Sequence, residues 1–132
     1  MLTFLFLWLG YLAYLAVVLQ LNHFDTYSLL NNARLILKGG EYPYELIRPP
    51  LLSIVLSPLF LFDLLTMPQV VVIARLLAVG FFAANLALAY KIFRLHLERT
   101  LSLFGMLLMS LNPLLVADAP FCREDILGAL LT

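Results

Sequence analysis

The sequence predicts an all-α integral membrane protein, and three observations lead to this fold class. Hydrophobic residues make up 64% of the 132 residues and charged residues 12%, whereas a soluble domain carries about 25% charged residues. Long apolar runs match the length of helix that crosses a bilayer. Basic residues are distributed unevenly between the loops that separate these runs, as in multi-pass membrane proteins.

Three apolar runs are predicted to be transmembrane helices: residues 2–21, 69–90 and 101–117. The first has 20 residues, or about 30 Å of helix, which matches the hydrocarbon core. It lacks a basic N-terminal region and a small-residue cleavage site before the loop. It is therefore predicted to be a retained anchor helix and not a cleaved signal peptide.

The polar loop 22–68 begins with a predicted amphipathic helix of about 14 residues. Its apolar positions recur with a helical period at Leu29, Leu30, Ala33, Ile36 and Leu37. Another face carries Tyr27, Asn31, Arg34 and Lys38. Asp25 opens the helix and Gly39-Gly40 ends it. We expect this juxtamembrane helix to lie on the membrane surface.

Residues 51–62 form a shorter apolar segment whose role the sequence leaves open. Twelve residues give about 18 Å of helix, too short for a core of roughly 30 Å, and Pro58 would kink it. An extension to residue 67 would place Asp63 inside the membrane. We favour the short interpretation, an interfacial or re-entrant segment.

Basic residues set the predicted orientation, because loops rich in Lys and Arg stay in the cytoplasm. Residues 91–99 hold three Lys or Arg in nine positions, whereas residues 22–69 hold three in 48. Loop 91–100 is therefore predicted to be cytoplasmic, with loop 22–68 and turn 118–125 on the outer face. Residues 126–132 look like the start of another helix. We expect one membrane domain over 1–132 within a larger architecture.

Composition also argues against other classes of protein. The net charge is zero, so nothing would neutralise a nucleic-acid backbone. Cys122 is the single cysteine, which excludes an internal disulfide and a cysteine-based zinc site. No predicted span has an acidic residue at mid-depth that would bind a transported ion.

Acidic residues follow the predicted spans on the outer side. Asp25 comes just after the first span, where a carboxylate stabilises a helix N-terminus. Because a capped carboxylate stays ionised, it also suits a general base or a metal ligand. Glu124 and Asp125 open the next predicted helix, and the same two interpretations apply to them.

Cationic and aromatic residues near the membrane surface complete the set of candidates. Arg48 precedes two prolines that hold an extended turn, and it either binds a lipid phosphate or snorkels. Arg75 lies about 9 Å into its predicted span, where it faces a partner or cavity, or snorkels. Tyr42 and Tyr44 either stack on a sugar ring or belong to the aromatic belt.

The order of these features resembles the GT-C superfamily of membrane glycosyltransferases. This superfamily includes protein O-mannosyltransferases, lipid A aminoarabinose transferases and polyprenyl-phosphate-mannose-dependent mannosyltransferases. The resemblance is carried by Asp25, Gly39-Gly40-x-Tyr42-Pro43-Tyr44, Arg48-Pro49-Pro50-Leu51, Pro58, Ala74-Arg75, the basic segment 91–99, Asn112-Pro113 and Glu124-Asp125. Members of the superfamily are much longer, so this chain would be their N-terminal portion.

The resemblance implies an inverting transfer of a hexose such as mannose, from a polyprenyl-phosphate donor to an unnamed acceptor. The reaction would take place on the outer face of a plasma or ER-type membrane. Asp25 would be the base, Arg48 would bind the departing phosphate, and Asp125 would shape the acceptor side or hold a divalent cation. Further substrate contacts are expected from Arg34, Arg75, Tyr42, Tyr44 and Glu124. The alternative is a small non-catalytic membrane scaffold or assembly subunit.

Overall fold

The structure, a computed structural model, describes residues 2–18, 24–39, 51–61, 65–113 and 116, without the side chains of Leu2, Phe24 and Asp25. Every regular element in these ranges is helical, which confirms the predicted all-α class. In chain order they are α1 (Leu2–Val18), α2 (Phe24–Leu37), α3 (Leu51–Leu56), a 3₁₀ turn (Ser57–Phe60), α4 (Met67–His96) and α5 (Arg99–Ser110).

Helix α4 is the element against which the other helices pack. Its 30 residues give a length of about 45 Å. Helices α1 and α5 pack along it, and α2 also contacts it. Among the described residues, α4 is the one helix whose length and composition suffice to cross a membrane; α1 and α5 are apolar but shorter. The predicted three-span arrangement remains a prediction.

A first hydrophobic cluster joins α2 and α3 to the N-terminal half of α4. Its buried members are Leu29, Leu30 and Ala33 of α2, Leu52 and Leu56 of α3, and Val70, Val71, Ala74 and Ala78 of α4. The Ser53 hydroxyl donates a hydrogen bond of 3.2 Å to the carbonyl oxygen of Leu29, which ties α3 to α2. Helix α3 and the 3₁₀ turn pack mainly against α2, and α2 contacts the N-terminal half of α4; we call α2 and α3 together the layer at this end of α4.

A second hydrophobic cluster joins α1, α4 and α5. Its buried members are Leu5, Leu12 and Ala16 of α1, Val79, Phe82 and Leu86 of α4, and Met106 of α5. Phe82 is fully buried. The indole N–H of Trp8 donates a hydrogen bond of 3.0 Å to the carbonyl oxygen of Ser110. This bond fixes α1 against the C-terminal end of α5.

The ends of the short helices lie where the sequence places helix-breaking residues. Gly39 follows α2 with a φ of 69°, a conformation that glycine adopts without steric penalty, so the predicted end of the amphipathic helix is confirmed. At Pro58 the α-helix gives way to the 3₁₀ turn, and the Leu61 N–H donates to the Pro58 carbonyl oxygen. The described part of the segment has ten helical residues, and its interfacial or re-entrant placement stays a prediction.

Helices α4 and α5 differ from the predicted spans at both ends. Helix α4 begins after Thr66, whose N–H donates a 2.9 Å hydrogen bond to Oε1 of Gln69, and it continues to His96. The predicted loop 91–100 is thus helical apart from Leu97 and Glu98. Helix α5 ends at Ser110, seven residues before the predicted end of the third span.

The interruption after Ser110 has a local cause. Pro113 has no N–H to donate, and a new helical turn begins with the hydrogen bond from the Val116 N–H to the Asn112 carbonyl oxygen. The expectation of one continuous helix over residues 101–117 is therefore corrected to a helix that breaks at Leu111–Asn112.

Candidate functional site

The candidate site is the layer of α2 and α3 at the N-terminal half of α4. Of the residues predicted to take part in it, the structure describes Arg34 and Arg75 completely and Asp25 through its backbone. Five others lie outside the described residues: Tyr42, Tyr44, Arg48, Glu124 and Asp125. The prediction that Asp25 and Glu124-Asp125 lie on the same outer face therefore stays a prediction.

Asp25 is the second residue of α2 and so lies in its first turn. A carboxylate at this position is stabilised by the partial positive charge of the helix N-terminus. The helix that carries it is held in place by Leu29, Leu30 and Ala33, which are at most 2% exposed. The first turn of α2 is thus fixed relative to α4 through the apolar face of α2.

Arg34 lies on the exposed face of α2, together with Tyr27, Asn31 and Lys38. It belongs to the last turn of the helix, where a cation is favoured by the partial negative charge of the helix C-terminus. Nine residues separate it from Asp25, which is two and a half helical turns. Arg34 and Asp25 are therefore attached to opposite sides of α2, and the helix does not bring them together.

Arg75 is buried in the centre of the packed face of α4, with 2% of its surface exposed. It makes at least one polar or ring interaction within the protein. Val71, one turn before it, belongs to the first cluster, and Val79, one turn after it, belongs to the second. Arg75 thus lies where the two clusters adjoin, and its burial favours the partner-facing interpretation over snorkelling into lipid headgroups.

Asn32 is a buried polar residue that the sequence analysis did not single out. It is 2% exposed, and among the described residues its Oδ1 atom has no hydrogen-bond partner. It follows Asp25 by seven residues, or about two turns, so both are attached to the same side of α2. The half-buried Ser28 lies between them on that side. The seven-residue spacing from Asp25 was the signal that could have identified it.

Within the described residues, no group of three or more His, Cys, Asp or Glu side chains is arranged to hold a metal ion. The acidic residues proposed for a divalent cation, Asp25 and Asp125, are not among the side chains that the structure describes.

Comparison of the chain with protein-family models, with curated proteins and with solved structures finds no match.

Proposed function

We propose that this chain contributes the first helices and the outer juxtamembrane layer of a multi-pass, GT-C-like membrane glycosyltransferase. The proposal rests on the resemblance described above. The structural observation that supports it best is the packing of α2. This amphipathic helix carries Asp25 in its first turn and lies, together with a segment too short to cross a bilayer, against one end of a helix long enough to do so.

The proposed reaction transfers a hexose from a polyprenyl phosphate with inversion at the anomeric carbon. Asp25 accepts the proton of the acceptor hydroxyl while the acceptor oxygen forms a bond to the anomeric carbon. The bond between that carbon and the phosphate oxygen breaks, and the polyprenyl phosphate leaves with the electron pair. General-base assistance of this kind contributes about 10²–10⁴-fold to the rate.

The negative charge that develops on the leaving phosphate needs a cation. Arg48 supplies it in this proposal, and Arg75 supports the site from the buried face of α4. The proposal omits Arg34, because Arg34 projects from the side of α2 opposite to Asp25. Asp125 completes the acceptor side.

The test is sugar transfer in membranes that contain the intact protein, with radiolabelled polyprenyl-phosphate mannose as donor. Asp25→Asn keeps a side chain that is favourable near a helix N-terminus and removes the base. We expect at least about 100-fold slower transfer with unchanged membrane insertion. Glu98→Gln is the matched control, because Glu98 is the N-cap of α5, makes no side-chain capping bond there, and lies beyond the opposite end of α4.

Transfer at the parental rate by the Asp25→Asn variant would remove Asp25 from the mechanism. If the parent protein transferred no sugar from any polyprenyl-phosphate hexose yet copurified with a stable set of membrane subunits, the alternative of a non-catalytic assembly subunit would replace the proposal.

A further inference from the structure

The turn between α4 and α5 carries a dense group of exposed cationic side chains. Lys91, Arg94 and Arg99 are all exposed, as is His96, and Glu98 is the one carboxylate among residues 91–100. Three permanent cations against one carboxylate leave this end of the molecule positively charged. We call residues 91–101 the basic turn.

Large apolar side chains are exposed in the basic turn alongside the cations. Leu95 is 77% exposed and Ile92 51%, and at the start of α5 Leu101 is 54% exposed. Exposed apolar surface on this scale is unfavourable in water, while unpaired cations are unfavourable in hydrocarbon. The interface of a bilayer satisfies both requirements, because acyl chains and phosphates meet there.

The length of α4 places the basic turn at the depth of the headgroups. Thirty helical residues span about 45 Å, whereas the hydrocarbon core is about 30 Å thick and the bilayer with its headgroup regions about 40–45 Å. If the central part of α4 crosses the core, its last turns reach the layer of phosphates. Lys91 and Arg94 lie in this part of the helix.

The geometry of the basic turn is fixed before any ligand binds. The Leu97 N–H donates to the Phe93 carbonyl oxygen at 2.8 Å, and the Arg94 guanidinium donates to the Leu97 carbonyl oxygen at 3.2 Å. The Ser102 hydroxyl donates to the Glu98 carbonyl oxygen at 2.8 Å. These bonds hold the backbone of the basic turn in one conformation. Binding of a ligand to its cations therefore costs little backbone conformational entropy.

We propose that the basic turn binds the phosphate headgroups of anionic membrane lipids. Arg94 and Arg99 offer planar guanidinium groups that suit phosphate oxygens, Lys91 adds a third charge, and Leu95 packs among the acyl chains beneath them. A bilayer surface fits better than an acidic protein, since the cations alternate with exposed leucines and sit at the end of a helix of membrane-spanning length. The inference is independent of sugar transfer.

The experiment measures which lipid lies next to the turn. A bimane fluorophore is attached at position 95 in a Leu95→Cys, Cys122→Ser protein, since Cys122 is the one native cysteine. The full chain is reconstituted in bilayers, and quenching by spin-labelled phosphatidylglycerol is compared with quenching by spin-labelled phosphatidylcholine. Each basic side chain near an anionic surface is worth roughly fivefold in binding, so we expect at least about fivefold preference for the anionic lipid.

Two variants and one control make the result specific. Lys91→Gln with Arg99→Gln keeps the Arg94 bond to Leu97 and should lower the preference at least about fivefold relative to the parent. The triple variant that also carries Arg94→Gln should lower the preference to about one. Arg34→Gln with Lys38→Gln removes the same number of exposed cations from α2 and should leave the preference unchanged. High salt should weaken the preference in the parent.

Equal quenching by the two lipids in the parent protein would overturn the proposal and would point to an acidic protein partner instead. An undiminished preference in the double variant of the basic turn, or a preference that persisted in the triple variant, would overturn it as well. Far-UV circular dichroism of each variant establishes that the helices are retained.

Discussion

The buried amide of Asn32 provides a sharp test of how the layer of α2 and α3 is stabilised. An oxygen that is removed from water without gaining a donor destabilises the folded state by about 1–3 kcal/mol. Leu has the same number of side-chain heavy atoms and the same branching as Asn. Asn32→Leu therefore removes the unsatisfied oxygen with little change of shape, and we expect the variant to be more stable by about 1–3 kcal/mol.

The adjacent Asn31 is the matched control, because it is exposed on the same helix. Asn31→Leu makes the same change in helix propensity, which favours Leu over Asn by a few tenths of a kcal/mol. The difference between the two variants thus isolates the effect of burial. A gain of 1.4 kcal/mol corresponds to a tenfold larger folding equilibrium constant, which is well within measurable range.

The assay is equilibrium unfolding of the protein in detergent micelles by titration with sodium dodecyl sulfate. The single tryptophan, Trp8, reports tertiary structure, and far-UV circular dichroism reports helix content. If Asn32→Leu were no more stable than Asn31→Leu, or less stable, the Asn32 amide would have a donor in the folded protein and the reasoning would be refuted. A gain in stability together with lost sugar transfer would assign Asn32 to the site, where unsatisfied groups are kept for ligands.

Two further predictions concern α1, α4 and α5. Trp8→Phe removes the N–H group that donates a hydrogen bond to the Ser110 carbonyl oxygen, and we expect the free energy of unfolding to fall by about 1 kcal/mol. The same titration measures this loss by circular dichroism, and a midpoint equal to that of the parent protein would contradict the prediction. Gly105→Ala places a Cβ 2.9 Å from one Phe93 ring carbon and 3.0 Å from another, whereas Gly80→Ala in α4 meets nothing within 4 Å. Gly80→Ala should gain stability, because Ala has the higher helix propensity. Gly105→Ala should be about 1–2 kcal/mol less stable than the Gly80→Ala variant in the same unfolding titration. Equal stabilities of the two variants would show that the Phe93 ring moves aside freely.

The amphipathic helix could be predicted from the sequence because two local signals agree there. The apolar stripe has a helical period, and Gly39-Gly40 supplies a residue that adopts positive φ at the C-terminus. The structure buries Leu29, Leu30 and Ala33 and exposes Arg34, as the pattern indicates. Local chemistry also accounts for the short α3, because Pro58 has no N–H for a continuing α-helix.

The orientation of Arg75 could not be predicted for a physical reason. Helix α4 is apolar on nearly all sides, so its sequence contains no stripe that distinguishes the packed face from the exposed one. The position of a residue along the helix axis follows from the residue count. The direction in which its side chain projects relative to the core depends on which other helices pack against that side. Arg75 is buried because Val71, Ala78 and Phe82 on the same side contact other helices.

The burial of Asn32 was not predicted, because Asn32 is a polar residue on a helix whose polar residues were expected to be exposed. The helical pattern assigned Asn31 to the polar face and assigned Asn32 to neither face, and successive helical positions differ by about 100°. Asn31 therefore remains exposed while Asn32 turns inward. The predicted placement of Glu124-Asp125 on the same side as Asp25 concerns segments far apart in the chain, and the sequence gives no local signal for how such segments approach one another.

The hydrogen bond between Trp8 and Ser110 has a consequence for biosynthesis. Its two ends are 102 residues apart, and a ribosome adds about 5–20 residues per second. Roughly 5–20 seconds of synthesis therefore separate the Trp8 indole N–H from the carbonyl oxygen that accepts its hydrogen bond. During that interval the surroundings of the nascent chain have to accommodate the indole N–H, so α1 gains this contact only after α5 has been synthesised.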